Sequence, residues 1–145
     1  MKTTLTWKGA MEFDGDVDNH KVHIDAKAPI GKNTGATPKE LVAMGLGGCT
    51  AMDVIALLKK YKQPPQSFSI EVEIEPSTGA HPIVFEKATL TFKVEGQVDA
   101  EKLNEAVKLS QTKYCGVSAM LAKAFAIEYR VVLNGTETAQ GFAKF

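Results

Sequence analysis

From Leu41 to Leu58 the chain runs eighteen residues with one charged side chain, Asp53. A helix over this stretch is apolar around its whole circumference and is stable only in a bilayer or inside a core that covers it on every side. Crossing a bilayer takes about 20 apolar residues. Gly45, Gly47, Gly48 and the central Asp53 disfavour a span, and no second apolar stretch accompanies this one. The segment therefore reads as a long, buried central helix. Thr37 is suited to cap its start and Pro38 to occupy its first position. Lys59, Lys60 and Lys62 complement its carbonyl end, and Pro64-Pro65 stops it.

The flanking sequence supplies sheet to cover such a helix. Leu5 and Trp7 alternate with polar residues, Asp14-Gly15-Asp16 reads as a turn, and His20 to Ala26 places Val22, Ile24 and Ala26 on one face. A loop rich in Gly, Asn and Thr follows from Pro29 to Thr37. Beyond the helix, Phe68, Ile70, Val72 and Ile74, then Ala88, Leu90, Phe92 and Val94, alternate with polar residues as two strands with one wet face each. Asp99 is placed to cap a second helix bearing Leu103, Ala106 and Val107. A short third helix follows Tyr114, and a strand from Ile127 to Leu133 closes the chain. The order β-β-β-α-β-β-α-α-β lacks βαβ alternation, so the fold class is α+β. No repeat or composition break divides residues 1–145, which read as one domain.

Composition narrows the function. Seventeen Lys+Arg balance seventeen Asp+Glu, which removes the electrostatic footprint of a dedicated nucleic-acid or membrane-surface binder. Arg130 is the single arginine, so bidentate clamping of phosphates or carboxylates has almost no supply. The N-terminal residues lack the apolar core of a secretory signal, and the reading is cytoplasmic.

Two cysteines, Cys49 and Cys115, are too few for a disulfide-stapled scaffold of this length. Cys49 follows paired glycines in mid-helix, each costing about 1 kcal/mol relative to Ala. Their missing side chains would let a neighbour approach closely, which suits a reactive site or a tight helix crossing. Cys115 opens the third helix beside Gly116 and Ser118, where free backbone amides stabilise a thiolate. On that ground Cys115 reads as the more acidic thiol, since mid-helix burial and Asp53 one turn on both disfavour a Cys49 thiolate. His20 and His23 point to opposite faces of one strand, and no zinc-ligand spacing appears, so no metal is expected.

Three segments in this order, Pro38-Lys39-Glu40-Leu41, Gly47-Gly48-Cys49 and Lys113-Tyr114-Cys115-Gly116-Val117-Ser118, resemble the OsmC/Ohr family of osmotically inducible and organic hydroperoxide resistance proteins. The likeness in element order covers nearly the whole chain. Trp7, Phe13, His20, Asp25 and Asp53 look like its less-characterised OsmC-like branch. The resemblance implies an intertwined homodimer with active sites at the subunit interface. It also implies a thiol-dependent peroxidase, an oxidoreductase of oxidative-stress defence, acting on small organic hydroperoxides. In it Cys49 is the peroxidatic residue and Cys115 the resolving one, which reverses the ranking of the thiols above. An external dithiol, commonly lipoyl-linked in the family, would reset the disulfide, with no bound cofactor. Typical members pair a Glu directly after the helix-start Pro with an N-terminal Arg. Here Lys39 stands at that position, Glu40 follows as the carried-over catalytic carboxylate, and no Arg precedes Arg130. Lys8, Lys39 or His20 would have to supply the positive charge. Phe13, Met44 and Met52 are candidates to line an apolar pocket. The alternative is an OsmC-fold ligand-binding or redox-sensing module without efficient turnover.

Overall fold

A computed structural model describes residues 1–145, which gather into two compact units, residues 1–42 and 43–145. In the first, β1 (Thr4–Gly9), β2 (Glu12–Val17) and β3 (His20–Ile24) form an antiparallel sheet in that order. Asp14-Gly15-Asp16 lies inside β2 rather than in a turn, with Gly15 between Leu5 and Val22. The reversals fall instead at Ala10, with φ of 45°, and at Asp18-Asn19, with φ of 50° and 66°. Positive φ at both central residues is what a two-residue hairpin matched to strand twist requires, and Asp and Asn tolerate it.

Asp25, only 1% exposed, organises the segment after β3. Its carboxylate accepts hydrogen bonds from the backbone amides of Ala26 (2.7 Å), Lys32 (3.0 Å) and Thr34 (3.0 Å) and from the Thr34 hydroxyl (2.9 Å). These bonds, led by the Thr34 amide, hold its pKa down to about 2 against burial. At Gly31 a Cβ would stand 2.5 Å from Asp25 Oδ1, so no larger residue fits the curl.

The helix α1 runs Pro38–Lys60, two residues beyond the expected end. The second unit continues with β4 (Ser67–Pro76), β5 (Phe85–Glu95), α2 (Ala100–Leu109), a π-helical turn (Ser110–Tyr114), α3 (Gly116–Leu121), β6 (Ala126–Leu133) and β7 (Thr136–Phe142). The class is α+β, as the sequence indicates. The strands order β4-β5-β6-β7, antiparallel except for the parallel pair β5–β6, which α2 and α3 connect. The last strand, TETAQGF, has no apolar alternation and escaped the sequence reading; it pairs with β6 through Leu133↔Thr136 to Glu128↔Phe142.

Ala88, Leu90, Phe92 and Val94 of β5 are at most 1% exposed and form the core floor with Ile127 and Val131 of β6. Leu46, Thr50, Val54 and Leu58 of α1 are fully buried, four residues apart on one helical face. A Cβ at Gly47 would stand 2.8 Å from Val72 Cγ2, so this glycine lets α1 lie close to β4. Gly48 meets nothing within 4 Å. Within one chain α1 is not covered on every side: Val42, Met44 and Met52 are 43%, 64% and 75% exposed.

Candidate functional site

Helical spacing puts Cys49 and Asp53 one turn apart on the same face of α1. The third participant arrives through the connection between β5 and β6. There the π-helical turn ends and Cys115 becomes the N-cap of α3, its sulfur accepting from the Ser118 amide at 3.3 Å. The sulfurs of Cys49 and Cys115 and one carboxylate oxygen of Asp53 lie within 4.8 Å of one another.

The two thiols sit in different surroundings. Cys115 is fully buried, whereas Cys49 is half-buried. Burial pushes the Cys115 thiol up from its ordinary 9.0; the Ser118 hydroxyl and amide pull the other way without offsetting it, and the neighbouring Cys49 sulfur adds to the rise. The burial expected at Cys49 thus falls on Cys115. The helix-start amide that was to make Cys115 the more acidic thiol is present, but desolvation outweighs it. Cys49 is thus the accessible thiol of the pair and Cys115 the enclosed one.

Behind Asp53 runs a buried polar chain absent from the sequence reading. Gln111 Nε2 donates to Thr50 Oγ1 (2.7 Å), Thr50 and Ser110 hydroxyls share a 2.7 Å bond, and Ser110 Oγ donates to Asp53 Oδ2 (3.0 Å). Since the Ser110 hydrogen is committed to the carboxylate, Thr50 must donate to Ser110, and every donor in the chain points towards Asp53. Thr50, Ser110 and Gln111 are fully buried. The signal for this chain was a Thr and an Asp three residues apart in an otherwise apolar helix. The five-residue π-helical turn brings Ser110 and Gln111 to meet them.

The remaining sequence candidates have other settings. Glu40 forms a reciprocal cap with Thr37: its Oε2 accepts from the Thr37 amide (2.8 Å), and the Thr37 hydroxyl accepts from the Glu40 amide (3.3 Å). Glu40 also pairs with Lys27 at 2.8 Å, and that cation, with the Thr37 amide, holds its pKa near 2. His20 is exposed at the start of β3, opposite Val17. Phe13 is half-buried in β2 between Trp7 and Ile24. Lys39 is exposed in the first turn of α1, and Met44 and Met52 are exposed further along it. Arg130 pairs with Glu128 on β6 at 3.2 Å.

Comparison with known proteins places this geometry among relatives. The family described as OsmC-like protein matches residues 31–130, a range that contains Cys49, Asp53 and Cys115. The Escherichia coli K12 protein YhfA is 33% identical over 140 residues, covering 91% of this chain and 98% of YhfA. A hypothetical protein from Aquifex aeolicus superposes with a TM-score of 0.82 at 24% identity, over 92% of this chain and 95% of that one. The organic hydroperoxide resistance protein OhrB of Bacillus subtilis superposes with a TM-score of 0.64 at 20% identity, over 92% and 96% of the two chains. At these identities the two structures speak for the fold.

Proposed function

This chain belongs to the OsmC-like protein family, and from that premise we propose that it is a thiol-dependent peroxidase for small organic hydroperoxides. The observation that carries the reading is the approach of the Cys49 and Cys115 sulfurs to within 4.8 Å. The Cys49 thiolate attacks the O–O bond, releasing an alcohol and leaving a sulfenic acid. Cys115 then displaces water from that sulfenic acid to form a disulfide. A disulfide bond is about 2.05 Å long, so a closure of at most about 2.8 Å completes the step. An external dithiol, as in resembling proteins that use lipoyl groups, takes up the oxidation and returns both thiols. The family's hydroperoxide resistance members support the substrate class. The setting we propose is cytoplasmic, as the keeping of two free thiols requires reducing surroundings.

The homodimer belongs to the same proposal. Met44, Gly48 and Met52 lie four residues apart and leave an apolar helical stripe open. A second copy covering it would bury the perimeter that one chain leaves bare.

One equivalent of an organic hydroperoxide added to reduced protein should yield an intrachain Cys49–Cys115 disulfide, seen as the loss of two hydrogens and a single cross-linked peptide. In Cys115→Ser the oxidation should remain on Cys49. Two untouched thiols after prolonged excess peroxide would overturn the reading. The redox-sensing alternative draws on the sole arginine being tied to Glu128 while the group beside Cys49 is the carboxylate Asp53. It expects one oxidation per chain but no sustained turnover with a dithiol.

A further inference from the structure

The donor atoms gathered at the thiol site are two sulfurs and a carboxylate oxygen, and the geometry points to a second use for them: reversible capture of a thiophilic divalent cation, of which zinc is the representative, by Cys49, Asp53 and Cys115. In tetrahedral coordination, zinc–sulfur bonds of about 2.3 Å place two sulfurs about 3.8 Å apart and a sulfur and an oxygen about 3.5 Å apart. All three atoms already lie within 4.8 Å of one another, so a contraction of roughly 1 Å completes three corners of the tetrahedron. The ligands also stand on regular elements, two of them one turn apart on α1 and the third capping α3.

Two independent features favour a ligand there. The buried chain directs one Gln111 amide hydrogen and the Thr50 and Ser110 hydroxyl hydrogens towards Asp53 Oδ2. That fixes the carboxylate as an acceptor with lone pairs left for a cation, as outer hydrogen bonds do around metal-ligating groups. The Ser118 hydroxyl, fully buried and with no nitrogen or oxygen partner, bears on the Cys115 sulfur. It can steady that sulfur as a ligand. Cys49 and Asp53 are half-buried, so water has access to the fourth position.

Binding exchanges two protons for one cation: both thiols deprotonate, two metal–sulfur bonds form, and no electrons move. The bound form has no free thiolate for peroxide, and the disulfide form has no sulfur donors for metal. Cation and peroxide therefore compete for the same two residues. The regulatory consequence rests on the peroxidase reading, whereas the metal site does not.

The test uses full-length protein reduced with a phosphine, titrated with cobalt(II) as a spectroscopic probe and then with zinc against a chromogenic chelator. The expected result is one cobalt per chain with sulfur-to-cobalt charge-transfer absorption and tetrahedral d–d intensity, displaced by zinc. Cys49→Ser and Cys115→Ser should each abolish the charge-transfer signature of a two-sulfur site. Asp53→Asn should weaken zinc by more than about tenfold, and Ser110→Ala, acting through Asp53, by about 10- to 100-fold. Circular dichroism confirms that each variant is folded, and the disulfide form of the wild type serves as a fully folded control that should not bind. Wild-type affinity no better than that of the disulfide form, or Asp53→Asn binding undiminished, would overturn the site. Hydroperoxide consumption by metal-free protein is measured in parallel: its absence with cobalt binding intact counts against the peroxidase alone, and its persistence with cobalt binding absent counts against the metal site alone.

Discussion

Cys115 and Asp25 show how a single buried acid records its surroundings in the pH dependence of the whole protein. Unfolding returns the Cys115 thiol to its ordinary value of 9.0, while the native protein keeps its proton to higher pH. Above about pH 9 the unfolded chain therefore binds fewer protons than the native one, and stability falls as pH rises until the folded thiol also ionises. Chemical denaturation of wild type and Cys115→Ser between neutral and alkaline pH should show the steeper decline in wild type; parallel curves would contradict the burial argument. Asp25 has the opposite sign. Its folded pKa of about 2 lies below the ordinary 3.8, so its contribution is complete above 3.8 and is lost as pH falls through 2. In Asp25→Asn the acid limb of the stability profile should lose that component, and amide exchange at Lys32 and Thr34 should quicken at neutral pH. At this scale the sequence was partly legible: both cysteines and Asp53 stand out by residue type and helical spacing. What raises the Cys115 thiol is burial, which depends on what packs over it and leaves no mark beside it in the chain.

Elements were legible where the local pattern and the tertiary environment agreed. The strands β4 and β5 alternate because one face meets the core, and α1 starts where Thr37 and Glu40 cap each other's amides and Pro38, with no amide hydrogen to satisfy, takes the first position. The strand β2 was hidden by Asp14-Gly15-Asp16, which resembles a turn but is held by strands on both sides. The strand β7 was hidden by its polarity, tolerable at a sheet edge. The π-helical turn has no sequence signature, and it is the element that delivers Ser110 and Gln111 to Thr50. The paired glycines of α1 separate at this scale. Gly47→Ala drives a Cβ to 2.8 Å from Val72 Cγ2 and should destabilise the fold by about 1–3 kcal/mol through overpacking. Thermal denaturation of Gly47→Ala beside wild type checks it; an unchanged or higher midpoint would mean that β4 yields more easily than its paired, well-packed register suggests.

For the whole molecule, Gly48 is the informative position. A Cβ there meets nothing within the chain, so Gly48→Ala in an isolated chain should stabilise α1 by about 1 kcal/mol through helix propensity. If a second copy packs on the Met44–Gly48–Met52 stripe, the same change should weaken the dimer, raising the concentration at which it dissociates. Sedimentation of wild type and Gly48→Ala over a range of concentrations distinguishes the outcomes, and the proposed homodimer requires the second; a wild type that remains a folded 15.6 kDa monomer at micromolar concentration would refute it. The parallel pairing of β5 with β6 has a further consequence at this scale. Cys115 rides on the crossover that joins these two central strands, so oxidation would tie that crossover to α1 and enclose roughly 65 residues in a covalent ring. Chain-entropy arguments assign such a ring about 4 kcal/mol of resistance to unfolding. Each round of oxidation and reduction would then alternate the protein between a looser and a tougher fold, and protease lifetime would serve as a gauge of its redox state: oxidised chains should outlast reduced ones, with Cys115→Ser insensitive to the change.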